Sequence, residues 1–182
     1  MLKIETSNLN KKLSIKDISK GYYKLKIIGP FGSIKNYFRK EIKLGIEENS
    51  ICLNTEVFTK ETKSLLQSYK KILKNSFNDV DFGFSVILEV RGVGTKVNYE
   101  KGELTFNLGL SHQVKYNLPN GVIAKVLDDK NTIFLLMGCD RNMVLSTASK
   151  ICLLKKKDVY KGKGIFFYAE EITLKEGKGK NA

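Results

Sequence analysis

Two amphipathic helical stretches, each preceded at the same distance by a short apolar strand, constrain this chain more than any other feature. In Glu61–Asn75 the residues Leu65, Leu66, Tyr69, Ile72 and Leu73 fall on one face, with Lys63, Lys70, Lys71 and Lys74 elsewhere. That 3.6-residue period predicts a helix with one buried side. In Asn142–Leu154 the positions Val144, Ala148, Ile151 and Cys152 repeat the spacing. Asn49–Leu53 resembles Asn131–Leu135 at an offset of 82 residues, and the same offset carries Thr62–Lys74 onto Val144–Lys156. Ahead of these strands, Ile27–Gly32 reads as the counterpart of Val90–Gly94, with an extra hairpin in the second copy.

Most of the remaining sequence alternates. Tyr23, Leu25 and Ile27 are interleaved with Lys24 and Lys26, and Leu104, Phe106 and Leu108 with Thr105 and Asn107. Val114, Tyr116 and Leu118 are interleaved with Lys115 and Asn117, the period-two pattern of half-buried strands. Lys101-Gly102 and Pro119-Asn120-Gly121 are turn signals. Short strands, tight turns and one helix per half predict an α+β fold of two similar domains, each an antiparallel sheet with a helix packed on one face. The expected domains are residues 1–80 and 81–182, with the boundary near Asn78–Gly83, a polar stretch containing a glycine. Residues 1–20 read as an extension with no assignable role.

Charge narrows the function. Of 182 residues, 32 are Lys or Arg and 19 Asp or Glu, a formal charge of +13, and the only arginines are Arg39, Arg91 and Arg141. A compact domain so charged attracts polyanions, nucleic acid first and an acidic membrane surface second. The longest uncharged apolar run, Ile133–Met137, is far short of a membrane span. The opening residues lack the apolar stretch of a secretory signal and the arginines of a transit peptide. Cys52, Cys139 and Cys152 have no C-x-x-C spacing, and a lone His112 cannot complete a zinc site, so structural cysteines in a reducing compartment are expected. Gly92-Val93-Gly94-Thr95-Lys96 lacks the spacing of a phosphate-binding loop. Asp128-Asp129 reads as a turn. No nucleophile–base pair stands out, so neither an enzyme nor a cofactor, metal or small-molecule substrate is expected.

The chemistry concentrates near the end of the chain. Lys155, Lys156 and Lys157 precede Tyr160-Lys161-Gly162-Lys163-Gly164, and Lys175, Lys178 and Lys180 follow. Glycines let the backbone approach a phosphate closely, lysines supply charge, and Tyr160 offers a ring for stacking. A solvated basic tail is the plainer alternative.

These residues also carry a resemblance. Tyr160–Ile165, Tyr168-Ala169-Glu170-Glu171-Ile172 and Lys175-Glu176-Gly177-Lys178 resemble the ending of the bacterial and organellar family of large-subunit ribosomal protein six. Val90–Gly94 is similar to that family's LVGVGYRA segment, Leu108–His112 to its LGFSHPV segment, and Lys26–Gly32 to its VKGPKG-like run. The resemblance is strong from about Ile87 onward and weaker, though colinear, from Tyr22.

It implies a non-catalytic constituent of the large ribosomal subunit with two similar α+β domains. The C-terminal domain would bind large-subunit rRNA near the sarcin–ricin stem-loop, beside the region that translation factors visit, with neighbouring ribosomal proteins as further partners. Tyr160, Lys161, Gly162, Lys163 and Gly164 would form the rRNA-facing loop, with Lys155, Lys156 and Lys157 leading into it. Lys175, Lys178 and Lys180 would follow rRNA grooves, and Lys96, Ser111 and His112 are further candidates.

The departures are local. Lys157-Asp158-Val159 stands where the family has Pro-Glu-Pro, and Phe166 where it has arginine, with Phe167 additional. Thr95 and Gln113 replace a tyrosine and a proline, and residues before Gly21 have no family counterpart. This drift, with the Lys- and Asn-rich composition, points to a mitochondrially encoded copy in the matrix; a bacterial cytoplasm is the alternative. A rival reading is a non-ribosomal protein of the RNA-recognition-motif type, built on Lys161–Tyr168. That motif's stacking positions hold Lys163 and Ile165, and only 14 residues follow Tyr168.

Overall fold

Strand alternation generates one strand order twice along the chain. The computed structural model describes residues 2–5, 12–18, 21–47, 50–55, 57 and 59–176. The chain divides into two units, Met1–Gly83 and Phe84–Ala182. In the first, β1 (Leu2–Glu5), β2 (Lys12–Ile18), β3 (Tyr22–Gly29), β4 (Gly32–Arg39), β5 (Ile42–Glu47) and β6 (Ser50–Thr55) precede α1 (Lys60–Phe82). They pair antiparallel in the orders β1-β6-β5 and β2-β3-β4.

The second unit runs β7 (Phe84–Arg91), β8 (Lys96–Glu100), β9 (Glu103–Asn107), β10 (Val114–Asn117), β11 (Val122–Val126), β12 (Ile133–Gly138), α2 (Arg141–Leu154) and β13 (Gly164–Phe167). Its sheets are ordered β11-β12-β7-β13 and β10-β9-β8, again antiparallel. Without β13, the second unit reproduces the first strand for strand. The fold is α+β, with two similar sheet-and-helix units.

This topology corrects part of the repeat read from sequence. β6 and β12, each leading into its helix, are equivalent, as the Asn49 and Asn131 segments imply. Val90–Gly94, however, belongs to the end of β7, whose counterpart is β1, whereas Ile27–Gly32 lies at the turn between β3 and β4. The hairpin thought to be extra in the second copy has its equivalent in β2-β3-β4. Part of that equivalence lies in residues 1–20, which the sequence leaves unread and which supply β1 and β2.

In the second unit, cross-strand partners Phe134 and Leu88 share a face with Leu136, Val90 and Ile165, all buried. Phe106 of β9 meets Phe134 edge to face, with ring centroids 5.8 Å apart. Val144, Ala148 and Ile151 of α2 join the same core. Asp140 caps α2, its carboxylate accepting from the N–H groups of Asn142 at 2.9 Å and Met143 at 3.4 Å. Such a cap is worth about 1 kcal/mol.

α1 starts at a reciprocal cap in which Thr59 Oγ1 accepts from Thr62 N–H at 3.2 Å and Thr62 Oγ1 from Thr59 N–H at 2.9 Å. It runs seven residues beyond the predicted Asn75, because Phe77, Asp79 and Val80 are buried. The polar stretch Asn78–Phe82 is thus the final turns of a helix, stopped at Gly83 with φ +75°. Leu66, Leu73 and Phe77 cover the inner face of the β2-β3-β4 sheet, where Asn36 Nδ2 donates to Ser76 Oγ at 2.8 Å and Phe38 packs edge-on to Tyr69.

One glycine in each unit separates space from conformation. A Cβ on Gly138 would lie 2.6 Å from the Gly121 carbonyl oxygen and 2.9 Å from Val144 Cγ2, whereas one on Gly45 would meet nothing nearer than 3.6 Å. Gly138→Ala is expected to cost about 1–3 kcal/mol and to lower the urea midpoint of its unit. Gly45→Ala is expected to leave its unit unchanged or stabilise it by up to about 1 kcal/mol. Urea denaturation of the two variants checks the opposite signs.

Candidate nucleic-acid interface

β13 has no counterpart among the described residues of the first unit, and the basic loop is suspended between it and α2. The loop, Lys155–Lys163, closes on itself through Asp158. One carboxylate oxygen accepts from Tyr160 N–H at 2.9 Å and Lys161 N–H at 3.3 Å. The Asp158 carbonyl accepts from Gly162 N–H at 2.9 Å, and the Asp158 N–H donates to Lys163 O at 2.8 Å. These backbone donors, Tyr160 N–H foremost, hold the Asp158 carboxyl below its ordinary range despite desolvation. Asp158 thus performs by hydrogen bonding the stiffening that the absent prolines would provide through fixed φ.

Both glycines have reasons internal to the loop. Gly162 has φ +63°. A Cβ on Gly164 would lie 3.0 Å from Lys157 Cα and 3.1 Å from Lys156 O, so the two loop ends touch backbone to backbone. Tyr160 is 59% exposed. Lys156 and Lys161 are exposed and Lys163 half-buried. Lys175 continues the same surface, its N–H donating to Val159 O at 2.9 Å. Lys178 and Lys180 lie outside the described residues.

Lys155 and Lys157 turn inward. Lys155 Nζ donates to Leu108 O, tying the loop's base to the Leu108–Gln113 connection that carries exposed Ser111 and His112. Exposed Lys96 opens β8 directly opposite Asn107, at the start of the same connection. Lys157 Nζ pairs with Glu170 Oε1 and lies 5.5 Å from the Phe166 ring centroid. The register Gly164↔Arg91 sets the loop beside the end of β7. Lys96, the Ser111–His112 connection and the Tyr160–Gly164 loop are therefore all brought to one end of this unit's sheets.

A cluster unread in the sequence holds that end together. Arg91 Nε and Nη2 donate to Glu89 Oε2 at 3.0 and 2.9 Å, and Arg91 Nη1 to Glu170 O at 3.4 Å. The guanidinium lies 4.8 Å from the Phe166 centroid, so that buried ring packs beneath two cations. Phe166, in the place of the family's arginine, is a platform for Arg91 and Lys157. The Lys157 hydrogen bond holds the Glu170 carboxyl below its ordinary range, against desolvation. Arg91 and Glu170 lie in segments that resemble the family, but nothing in their spacing joins them, since they are 79 residues apart.

Ile165, a base-stacking position in the RNA-recognition-motif alternative, is fully buried. Among the described residues no group of three or more His, Cys, Asp or Glu side chains is placed to hold a metal ion. None of their helices is long and apolar enough to cross a membrane.

A depressed folded-state carboxyl contributes stability above its ordinary value of 4.5, and that contribution is lost as pH falls through the folded value. Glu170→Gln is therefore expected to be less stable than the parent at pH 7, the gap closing progressively below about pH 4.5. Thermal melts from pH 7 to pH 3 check this; a gap independent of pH would exclude the ionic contribution.

Comparison with known proteins identifies the family. The profile of the family described as Ribosomal protein L6 matches residues 91–167, which include the end of β7, α2, the loop and β13. The chain is 35% identical over 154 residues to large ribosomal subunit protein uL6 of Geobacter metallireducens, covering 85% of each chain. It is 34% identical over 152 residues to the uL6 of Mycoplasma capricolum, covering 84% of this chain and 83% of that one. With large ribosomal subunit protein uL6c of Phaeodactylum tricornutum it shares 30% over 162 residues, 89% of this chain and 90% of the relative. With likeness of this extent across both units, the chain belongs to the ribosomal protein L6 family, a structural and non-enzymatic one.

Proposed function

We propose that the chain is a structural constituent of the large ribosomal subunit, and that its second unit docks on large-subunit rRNA near the sarcin–ricin stem-loop through the Tyr160–Gly164 loop. The observation that carries this reading is the rigid loop itself. Exposed Lys161 and Tyr160 project from a backbone fixed by Asp158 and by the Gly164–Lys157 contact. Lys156, Lys163 and Lys175 add positive charge around it, whereas Lys155 and Lys157 position the loop. Lys96, Ser111 and His112 extend the same end of the unit, and Lys178 and Lys180 would prolong the basic tail. The stem-loop and the neighbouring ribosomal proteins follow from family resemblance, as does support of the factor-binding region. The Lys- and Asn-rich composition favours a mitochondrial ribosome over a bacterial one, which fractionation of native organelles tests.

Docking of this kind is electrostatic attraction followed by fitting to a folded RNA shape. Lys161→Ala with Lys163→Ala is expected to weaken binding to a sarcin–ricin stem-loop RNA. The slope of log affinity against log salt should flatten by about 0.7–0.9 for each lost contact. Filter binding across a salt series measures it, and an unchanged slope would move the interface elsewhere.

A further inference from the structure

The β2-β3-β4 sheet of the first unit has an inner face covered by α1 and an outer face of unusual charge. Cross-strand registers place Lys12, Ser14, Lys16 and Ile18 of β2 on the outer side. With them stand Tyr22, Lys24, Lys26 and Ile28 of β3 and Ser33, Lys35, Tyr37 and Arg39 of β4. The face carries six cations and no carboxylate. The one acid of these strands, Asp17, stands on the inner side and is paired with Lys40 at 2.6 Å. Lys16 is directly opposite Lys24, and Lys26 directly opposite Lys35. Like charges so placed destabilise a sheet, and among the described residues none of the six cations has a carboxylate partner.

The equivalent sheet of the second unit supplies an internal comparison. The outer side of β8-β9-β10 carries Lys96 and Lys115 against Glu100 and Glu103, with Lys115 and Glu103 paired at 3.3 Å. The same scaffold is thus charge-balanced in one copy and wholly cationic in the other.

We propose that the outer face of β2-β3-β4 is a second RNA-binding surface, which neutralises backbone phosphates independently of the Tyr160–Gly164 loop. Lysines on neighbouring strands stand about 4.8 Å apart and those along one strand about 6.7 Å apart, so a phosphate backbone laid across the face meets several cations at once. Two exposed rings decide for RNA over an acidic protein. Tyr22 and Tyr37 are 42% and 56% exposed within the cationic field, and Lys24 Nζ lies 6.0 Å from the Tyr37 centroid. Such rings accept an unpaired base by stacking. The choice of RNA as partner rests on the ribosomal reading; the surface itself does not involve the loop.

The test uses the full chain with a large-subunit rRNA transcript, and with polyglutamate as a second polyanion. Lysine acetylation followed by mass spectrometry is expected to find Lys16, Lys24, Lys26 and Lys35 protected several-fold by the transcript, and equally so in a Lys161→Ala, Lys163→Ala variant. Changing all four sheet lysines to Gln should reduce the salt slope of binding by about 3 units. The melting temperature at low salt should stay equal or rise, because like charges are removed and the fold is kept. Unprotected sheet lysines with an unchanged slope would overturn the proposal and leave the loop reading intact. Protection by polyglutamate but not by RNA would overturn it in favour of an acidic protein. A slope lost in the sheet variant and kept in the loop variant would uphold this surface while removing the loop.

Discussion

The shaped basic end of the second unit depends on the pairing of β13 with β7. β13 is only four residues long, and its register sets Gly164 against Arg91. That one alignment puts the loop's end beside a guanidinium, sinks Ile165 and Phe166 into buried positions, and brings Glu170 within reach of Lys157. Without it the lysines would be a flexible tail, subject to the full conformational entropy cost of ordering on contact with a partner. Pairing moves much of that cost into folding. The cations then stand in place before any partner arrives.

The two units show how one topology is adapted by small local changes. In the second, an added strand and an Asp-closed loop create a shaped basic end. In the first, the strand order is unaltered, and the charge balance on one side of β2-β3-β4 differs from that of its counterpart sheet. The central strands keep apolar inner positions in both, Leu25 and Ile27 of β3 in one and Leu104 and Phe106 of β9 in the other, all buried. Because strand side chains alternate, the core tolerates almost any charge pattern on the opposite side. Surface chemistry is therefore free to diverge between copies while the fold stays the same.

Legibility from sequence followed the range of the forces involved. The second helix was read within one residue of Arg141–Leu154, because its periodic apolar face and Asp140 cap are local signals. The end of α1 was not, since burial of Phe77, and of Val80 against Gly29 of β3, is a tertiary effect that overrides the polar look of Asn78–Phe82. Strands β1 and β2 escaped notice because their partners, β6 and β3, hold the pattern that identifies them. In the basic loop the lysines, glycines and Tyr160 were evident by type. Their division into outward-facing and inward-tied residues was not. Lys155 and Lys157 look identical to Lys156 in sequence, yet a carbonyl of residue 108 and the carboxylate of residue 170 take up the first two. Asp158 stands in the place of the glutamate of the family's run, and its closing of the loop shows only in the hydrogen bonds it accepts.

The strand order has a temporal consequence. A chain made from its N-terminus can close its first unit once β6 and α1 are available, because β1 waits for β6 and for nothing later. The second unit can assemble β7, β11, β12 and α2 into a core, but β7 keeps an unpaired edge until β13 has been synthesised. The Tyr160–Gly164 loop is consequently fixed in shape later than the rest of that core. During synthesis the lysines of the first unit's sheet are in position before those of the loop, so a growing chain presents its cationic sheet to its surroundings before its shaped basic end.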